Sequence, residues 1–386
     1  MLRLTPKHFS GTQRKEGDHV MRKSLLRICT ALTCLAACSE FAFAQEVPFL
    51  RHNSVLDSLQ SVTGSTIPSS NGDLNPYGVT FVPAGFPAGP NIAAGDVLVS
   101  NFNASSNLEG TGTTIVSFTP TGNQSLFATS PLIGLSTALG VFARGFVIVG
   151  NLPVSYPGGV STPGQGSLQI FDRNGNLVST LNDPDLLDSP WDLAINDQGS
   201  TAQVFVSNAI SGTVTRLNFA LTSSSITLRS KTRIASGYRS QLIPAIVVVG
   251  PTGLAYDPDR DILYVASTAD NEIFGIGEAA KRTSSAGTGF LVFADQTHLH
   301  GPLGLTLAPN GHLIAANGDG VNPGGTQNDL VEFTKEGMLV ATYQLDGGNP
   351  GAAFGIASTI CQGALRFAAI DDDLNTLTIW TLRSPF

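Results

Sequence analysis

Short apolar runs separated by turn residues fill the chain from residue 75 onward, and they recur in sets of four. Each set opens on a run centred on a glycine or its stand-in. These are NPYGVTF at Gly78, TALGVF at Gly140, SPWDLAI at Asp192, GPTGLAY at Gly253, GPLGLTL at Gly304 and AAFGIAS at Gly355. Successive anchors lie 62, 52, 61, 51 and 51 residues apart. The second runs end at Asn101, Asn151, Asn208, Ser267, Asn317 and Asp371. Turn signals such as Asn174-Gly175, Pro309-Asn310-Gly311 and Glu336-Gly337 separate the runs. Short strands at regular spacing predict an all-β protein. A four-strand unit repeated six times selects the six-bladed β-propeller.

The sixth set is one strand short. After the third-strand run ending near Trp380 the chain stops at Phe386. Phe49 to Ile67 belongs to no set, so this N-terminal stretch is expected to complete the last blade and close the ring. Closure of that kind removes an exposed sheet edge. The expected organisation is a leader over 1–44, a segment over 45–74 that carries the closing strand, and a propeller over 75–383.

PTGLAYDPDRDILYVASTADNEIFGIG, from Pro251 to Gly277, resembles an NHL repeat, in which a P-x-G-L-A strand leads to an L-Y-V-A strand. PLGLTLAPNGHLIAAN (Pro302 to Asn317) and PWDLAINDQGSTAQVFVSN (Pro190 to Asn208) are similar to weaker copies of it. The resemblance covers most of residues 75–383 and implies a six-bladed propeller. Proteins of this fold include ligand- and protein-binding modules, and metal-dependent lactonases of the gluconolactonase and paraoxonase kind. The fold therefore leaves the function open.

Composition and charge narrow the partners. Charged residues make up 13% of the chain, too few and too scattered for a solvated disordered protein. Met21-Arg22-Lys23, an apolar run from Leu25 to Ala37 and Ala42-Phe43-Ala44 read as a signal peptide with its cleavage pattern. Met21 then is the expected start of translation, and an exported protein the expected product. Leu35-Ala36-Ala37-Cys38 resembles a lipobox and supports the competing expectation of a lipid anchor on Cys38. No membrane-spanning segment is expected in the mature chain. Loss of 1–44 leaves 14 basic against 26 acidic residues, a net charge of −12. Such a chain is a poor nucleic-acid binder. Cys361 is the one cysteine outside the leader, so no disulfide is expected within a chain cut after Ala44.

Propeller geometry puts the second-strand ends at one mouth of the channel. Asn101, Asn151, Asn208, Ser267, Asn317 and Asp371 form the candidate binding ring, with long loops at 102–112, 152–166 and 318–327 beyond it. The same recurrence fits a purely structural role, in which each side chain closes a turn through the backbone. The expected function is a non-enzymatic binding module for a small polar ligand, a glycan or a protein, with no cofactor. The alternative is a calcium-dependent lactonase or hydrolase with Asn317, Asp319 and Asp371 as metal ligands. The resemblance to gluconolactonases implies metal ligands at or just before the anchors. Those preceding positions are Tyr77, Leu139, Trp191, Thr252, Leu303 and Phe354, which offer few oxygens to a hard cation, leaving Asp192 as the candidate. Asp371-Asp372-Asp373-Leu374-Asn375 is a further calcium candidate, and His298 with His300 a zinc candidate of the right spacing on a strand. Gly275-Ile276-Gly277-Glu278-Ala279-Ala280 fits a dinucleotide fingerprint without the βαβ unit it needs, and no G-x-S-x-G elbow occurs.

Overall fold

The computed structural model describes residues 60–243, 247–318, 329–345, 351–361 and 363–382. Six four-stranded antiparallel sheets follow one another as the blades of a propeller. Their inner strands are Leu74–Phe81, Leu135–Phe142, Pro190–Asp197, Pro251–Asp257, Pro302–Leu307 and Ala353–Cys361. All six anchors lie on these strands. Each inner strand packs against the next, and the sixth packs against the first, so the ring is closed. Between blades the core is built from runs such as Val97–Val99 and Val204–Val206, fully buried on both faces. Continuous apolar runs, not alternating ones, are what strands sandwiched between sheets require.

The sixth blade is completed by Gln60–Ser65, as the strand count predicts. It pairs antiparallel with Thr376–Leu382, in a register that sets Ser61 opposite Trp380 and Ser65 opposite Thr376. Just beyond it, Thr66 donates both its amide and its hydroxyl to the Asn375 carbonyl, each at 2.9 Å. Gln124 of the first blade donates to the Ser65 carbonyl at 2.7 Å. The closing strand is thereby fastened to the first and last blades together. Residues 49–59 of the stretch expected to close the ring lie outside the described residues.

Packing explains the anchors. A Cβ on Gly355 would sit 2.1 Å from the Tyr77 carbonyl oxygen, and one on Gly304 2.2 Å from that of Phe354. The backbone of one blade thus lies where the side chain of the neighbouring blade would be, and such a contact excludes a side chain. Every inner strand also carries a register shift at or beside its anchor. Buried hydroxyls stitch adjacent blades at this level. Ser100 donates to the Ser136 carbonyl, Ser136 to that of Pro190, Ser207 to that of Thr252 and Thr252 to that of Pro302. Two small hairpins interrupt the repeat, Val154–Ser155 with Thr162–Pro163 and Gln241–Ile243 with Val247–Val249.

Candidate functional site

The two ends of the channel are built differently. At the end where the inner strands begin, the side chains preceding the anchors fill the axis. Tyr77, Trp191, Leu303 and Phe354 are all buried and join Phe102, Ala209, Val247 and Val248 in one cluster. The Tyr77 ring stacks on Phe102 at 4.3 Å and on Phe354 at 4.5 Å, and Trp191 meets Tyr77 edge-on at 5.7 Å. Aromatic pairs in these geometries are favourable beyond their buried area. The 102–112 loop folds over the plug, where Glu109 accepts hydrogen bonds from the Tyr77 hydroxyl and from the Asn75 and Asn103 amides.

The six ring residues stand at this end, each opposite the first or third residue of its inner strand. They are almost completely buried, and their side chains are turned into local bonds. Asn101 donates to the Thr66 carbonyl at 3.1 Å, Asn151 to Ile133 at 3.0 Å, Asn208 to Leu186 at 3.1 Å and Asn317 to His298 at 2.8 Å. Each of these carbonyls belongs to the link that enters the same blade. In the two blades without Asn, Ser267 donates to Asp270 and the Asp371 carboxylate accepts from the Leu374 amide. The geometry makes the ring a set of link clamps. Asp319, and nearly all of the 318–327 loop, lie outside the described residues.

Other cation candidates are spent locally. His298 pairs with Asp295 at 2.6 Å, and His300 bonds the Thr297 carbonyl at 2.9 Å. Among the described residues no three His, Cys, Asp or Glu side chains converge. The positions where a gluconolactonase-like calcium site is expected hold buried aromatic and aliphatic groups, with Asp192 alone supplying a carboxylate. A hard cation takes six to eight oxygens. The described donor set therefore does not fit calcium at the plug. The dinucleotide-like run lies on the strand Glu272–Gly277, with no helix after it.

The far end of the channel is open. Along Pro190–Asp197 the first four residues are buried and the last four half-buried, and Pro302–Leu307 and Ala353–Cys361 also begin buried and become accessible toward this end. The strands enclose a cavity of about 300 Å³. Its polar lining comes from Thr80, Asp192, Tyr256, Thr306, Ser358 and Thr359, and no Lys, Arg or His contributes. Asp192 stands at the closed floor. Its Oδ1 accepts from its neighbour's amide, that of Leu193, at 2.8 Å, and its Oδ2 crosses to the next blade and accepts from Leu254 at 2.8 Å. The amide of Asp192 itself donates to the Ser207 hydroxyl. Burial without a cation pushes the carboxyl up to about 8, against the two amide bonds that favour its charged form. The carboxyl is thus largely protonated at neutral pH, in a cavity where it faces four hydroxyl-bearing strands. In the sequence its mark is the departure from glycine at one anchor of six; nothing local reveals its reach to Leu254.

No protein-family model matches the chain, and no curated protein is similar to it. Solved structures are similar in fold. A gluconolactonase from Xanthomonas campestris shares 13% identity at a TM-score of 0.52, covering 86% of this chain and 93% of its own. A putative oxidoreductase (glucose dehydrogenase) from Thermus thermophilus shares 14% at 0.51, covering 84% and 100%. A calcium-binding regucalcin from Agrobacterium tumefaciens shares 14% at 0.50, covering 82% and 92%. At these identities the likeness establishes the six-bladed propeller. The names of these neighbours, enzymes and a calcium-binding protein, run against the non-enzymatic binding module expected from the sequence. The hydrogen bonds that tie the ring of small polar residues to the links are invisible in sequence.

Proposed function

We propose that this chain is an exported propeller of NHL-like repeats that hydrolyses a lactone or related ester in the open end of its channel. The observation that carries the reading is Asp192, a carboxyl in place of an anchor glycine, lining a cavity and held up to about 8 by burial. A group that titrates near working pH is suited to proton transfer. Water adds to the acyl carbon, and the protonated carboxyl gives its proton to the ring oxygen as the acyl C–O bond breaks. The resulting carboxylate takes the proton that the added water oxygen releases, so the carboxyl is restored and the product is the hydroxy acid. The Leu193 and Leu254 amides hold the carboxyl in one orientation through both states. A fold neighbour named gluconolactonase supports the class of reaction, and the cavity supports its place.

Calcium is the cofactor that a regucalcin-like fold suggests, but the described residues do not fit it, and no step here passes through it. The proposed leader, 1–44, delivers the chain across a membrane, either free or anchored at Cys38. Residues 45–74 then bring the closing strand, and 75–383 form the propeller. Among the described residues no helix is long and apolar enough to cross a membrane.

The test is a panel of γ- and δ-lactones and aryl esters, followed by proton release, with wild type and Asp192→Asn and with calcium or a chelator added. Turnover in wild type that is lost in a folded Asp192→Asn protein supports the reading. Equal turnover in both proteins removes Asp192 from the chemistry, and no turnover on any substrate refutes the hydrolase.

A further inference from the structure

Beside the open end, at the seam between the last blade and the first, a thiol and a guanidinium meet. Cys361 ends the inner strand of blade six and is half-buried. Arg366, on the adjacent strand, is only 5% exposed. Its Cζ lies over the Phe81 ring, 4.9 Å from the ring centroid, and its Nη1 donates to the Gly95 carbonyl. The two groups converge on one spot. A Cβ on Gly95 would lie 3.7 Å from Cys361 Sγ and 3.9 Å from Arg366 Nη1. Arg366 Nη2 is buried and has no hydrogen-bond partner among the described residues. An orphaned guanidinium N–H costs more than an orphaned neutral donor. The neighbouring Asp96 carboxylate accepts instead from the Ala93 amide at 2.8 Å. The burial of Arg366 disfavours its charge, and Cys361 and then Asp96 act against that effect.

We propose that Cys361 is an oxidation site, whose oxyacid is held by the waiting Nη2 of Arg366. The reactant is a hydroperoxide. The sulfur gives two electrons to the peroxide O–O bond, an S–O bond forms, and the thiol proton leaves with the other oxygen, as an alcohol from an organic hydroperoxide or as water from hydrogen peroxide. A second equivalent gives the sulfinate by the same balance. An anionic oxygen placed on Sγ supplies the acceptor that Nη2 lacks, as a charge-assisted hydrogen bond. Thr359, two residues earlier on the strand, and Phe81 beneath Arg366 both line the cavity. The modified side chain therefore stands at the rim of the open mouth.

The experiment uses the full chain. Peptide-resolved mass spectrometry after hydrogen peroxide reads Cys361 separately from Cys29, Cys34 and Cys38. The expected result is oxidation of Cys361 in the folded protein about threefold or more faster than in the urea-unfolded chain, with the excess lost in Arg366→Gln. A folded-state rate at or below the unfolded one overturns the proposal. A second measurement keeps Arg366 in place. Cys361→Asp puts a carboxylate where the oxyacid forms, and it is expected to melt a few degrees above Cys361→Ser. Equal or lower melting of the Asp variant overturns the proposal even if Arg366→Gln does not fold.

Discussion

One end of the channel is a plug and the other a cavity, although both are made by the same six strands. The difference lies in which residues flank the anchors. The positions before them carry Tyr77, Trp191, Leu303 and Phe354, which stack across the axis. The positions after them carry aliphatic side chains such as Val79, Leu193, Leu254, Leu305 and Ile356, with hydroxyl-bearing residues beyond, and here the strands leave a cavity of about 300 Å³. The plug end also carries the ring of Asn, Ser and Asp, whose side chains each make a local bond, while the buried Oδ1 atoms of Asn101 and Asn208 have no hydrogen-bond partner among the described residues. In a propeller, then, repetition of a polar residue marks a structural need, and departure from the repeat marks the place to look for chemistry. Asp192, the one anchor that is not glycine, lies on the boundary between the two ends.

The largest effect that separates them is expected from Trp191→Ala. The change empties the centre of the plug and strips the edge-on contacts to Tyr77 and Phe102. Truncation of a buried Trp costs about 3–5 kcal/mol, to be read in urea unfolding. A loss under about 1 kcal/mol would mean that the plug packs loosely and that this end of the channel is accessible after all.

Asp192→Asn is expected to act mainly through pH. The folded carboxyl titrates at about 8, against 3.8 in the unfolded chain. Between those values the folded state holds a proton that the unfolded state has released, so stability falls as pH rises from about 4 to 8 and is flat beyond. The contribution is present in full below the unfolded value and amounts to a few kcal/mol. Unfolding of the wild type at pH 5 and pH 8.5 shows this slope, and the Asn variant should lose most of it. Asp96 and Glu272, also raised by burial, leave a remainder of the same sign. A slope unchanged by the substitution would show that water reaches the carboxyl freely. The hydrolytic reaction depends on the same proton, and its rate should fall as pH rises past about 8.

The six anchors, the strand count and the missing outer strand were all legible in the sequence, because close packing between blades leaves no room for a side chain at five of the anchors and a closed ring demands a fixed number of strands. Counting alone placed the closing strand within Phe49 to Ile67, where Gln60–Ser65 lies. The plug was not legible as such. Nothing in the sequence shows that Tyr77, Trp191 and Phe354, each just before an anchor, meet across the axis. The hairpin that contributes Val247 and Val248 falls outside the repeat and so left no periodic signal. The ring residues stand together at one end of the channel, but whether an Asn side chain faces solvent or grips a carbonyl eighteen to thirty-five residues away depends on the path of the links. Arg366 gave no hint either. A single arginine in a strand reads as exposed, and only the Phe81 face and the Gly95 carbonyl explain its burial.

The smallest effect is the one that tests the ring directly. Asn151 donates to the Ile133 carbonyl and accepts from the Ser167 hydroxyl, tying the link into blade two to the second and third strands of that blade. Asn151→Ala removes both bonds and leaves the Ile133 carbonyl and the Ser167 hydroxyl to find other partners. Each lost bond costs about 1 kcal/mol, more if the orphaned group stays dry. The expected result is a loss of about 1–3 kcal/mol in urea unfolding, with turnover at the open end unchanged. Asn151→Asp keeps the acceptor to Ser167 but turns the donor to Ile133 into a second oxygen facing a carbonyl, so it should be at least as destabilising as Ala. An Asp variant more stable than the Ala variant, particularly with calcium present, would point to a cation among the ring oxygens. That outcome would return the plug end to the list of functional surfaces and would erase the division of labour between the two mouths.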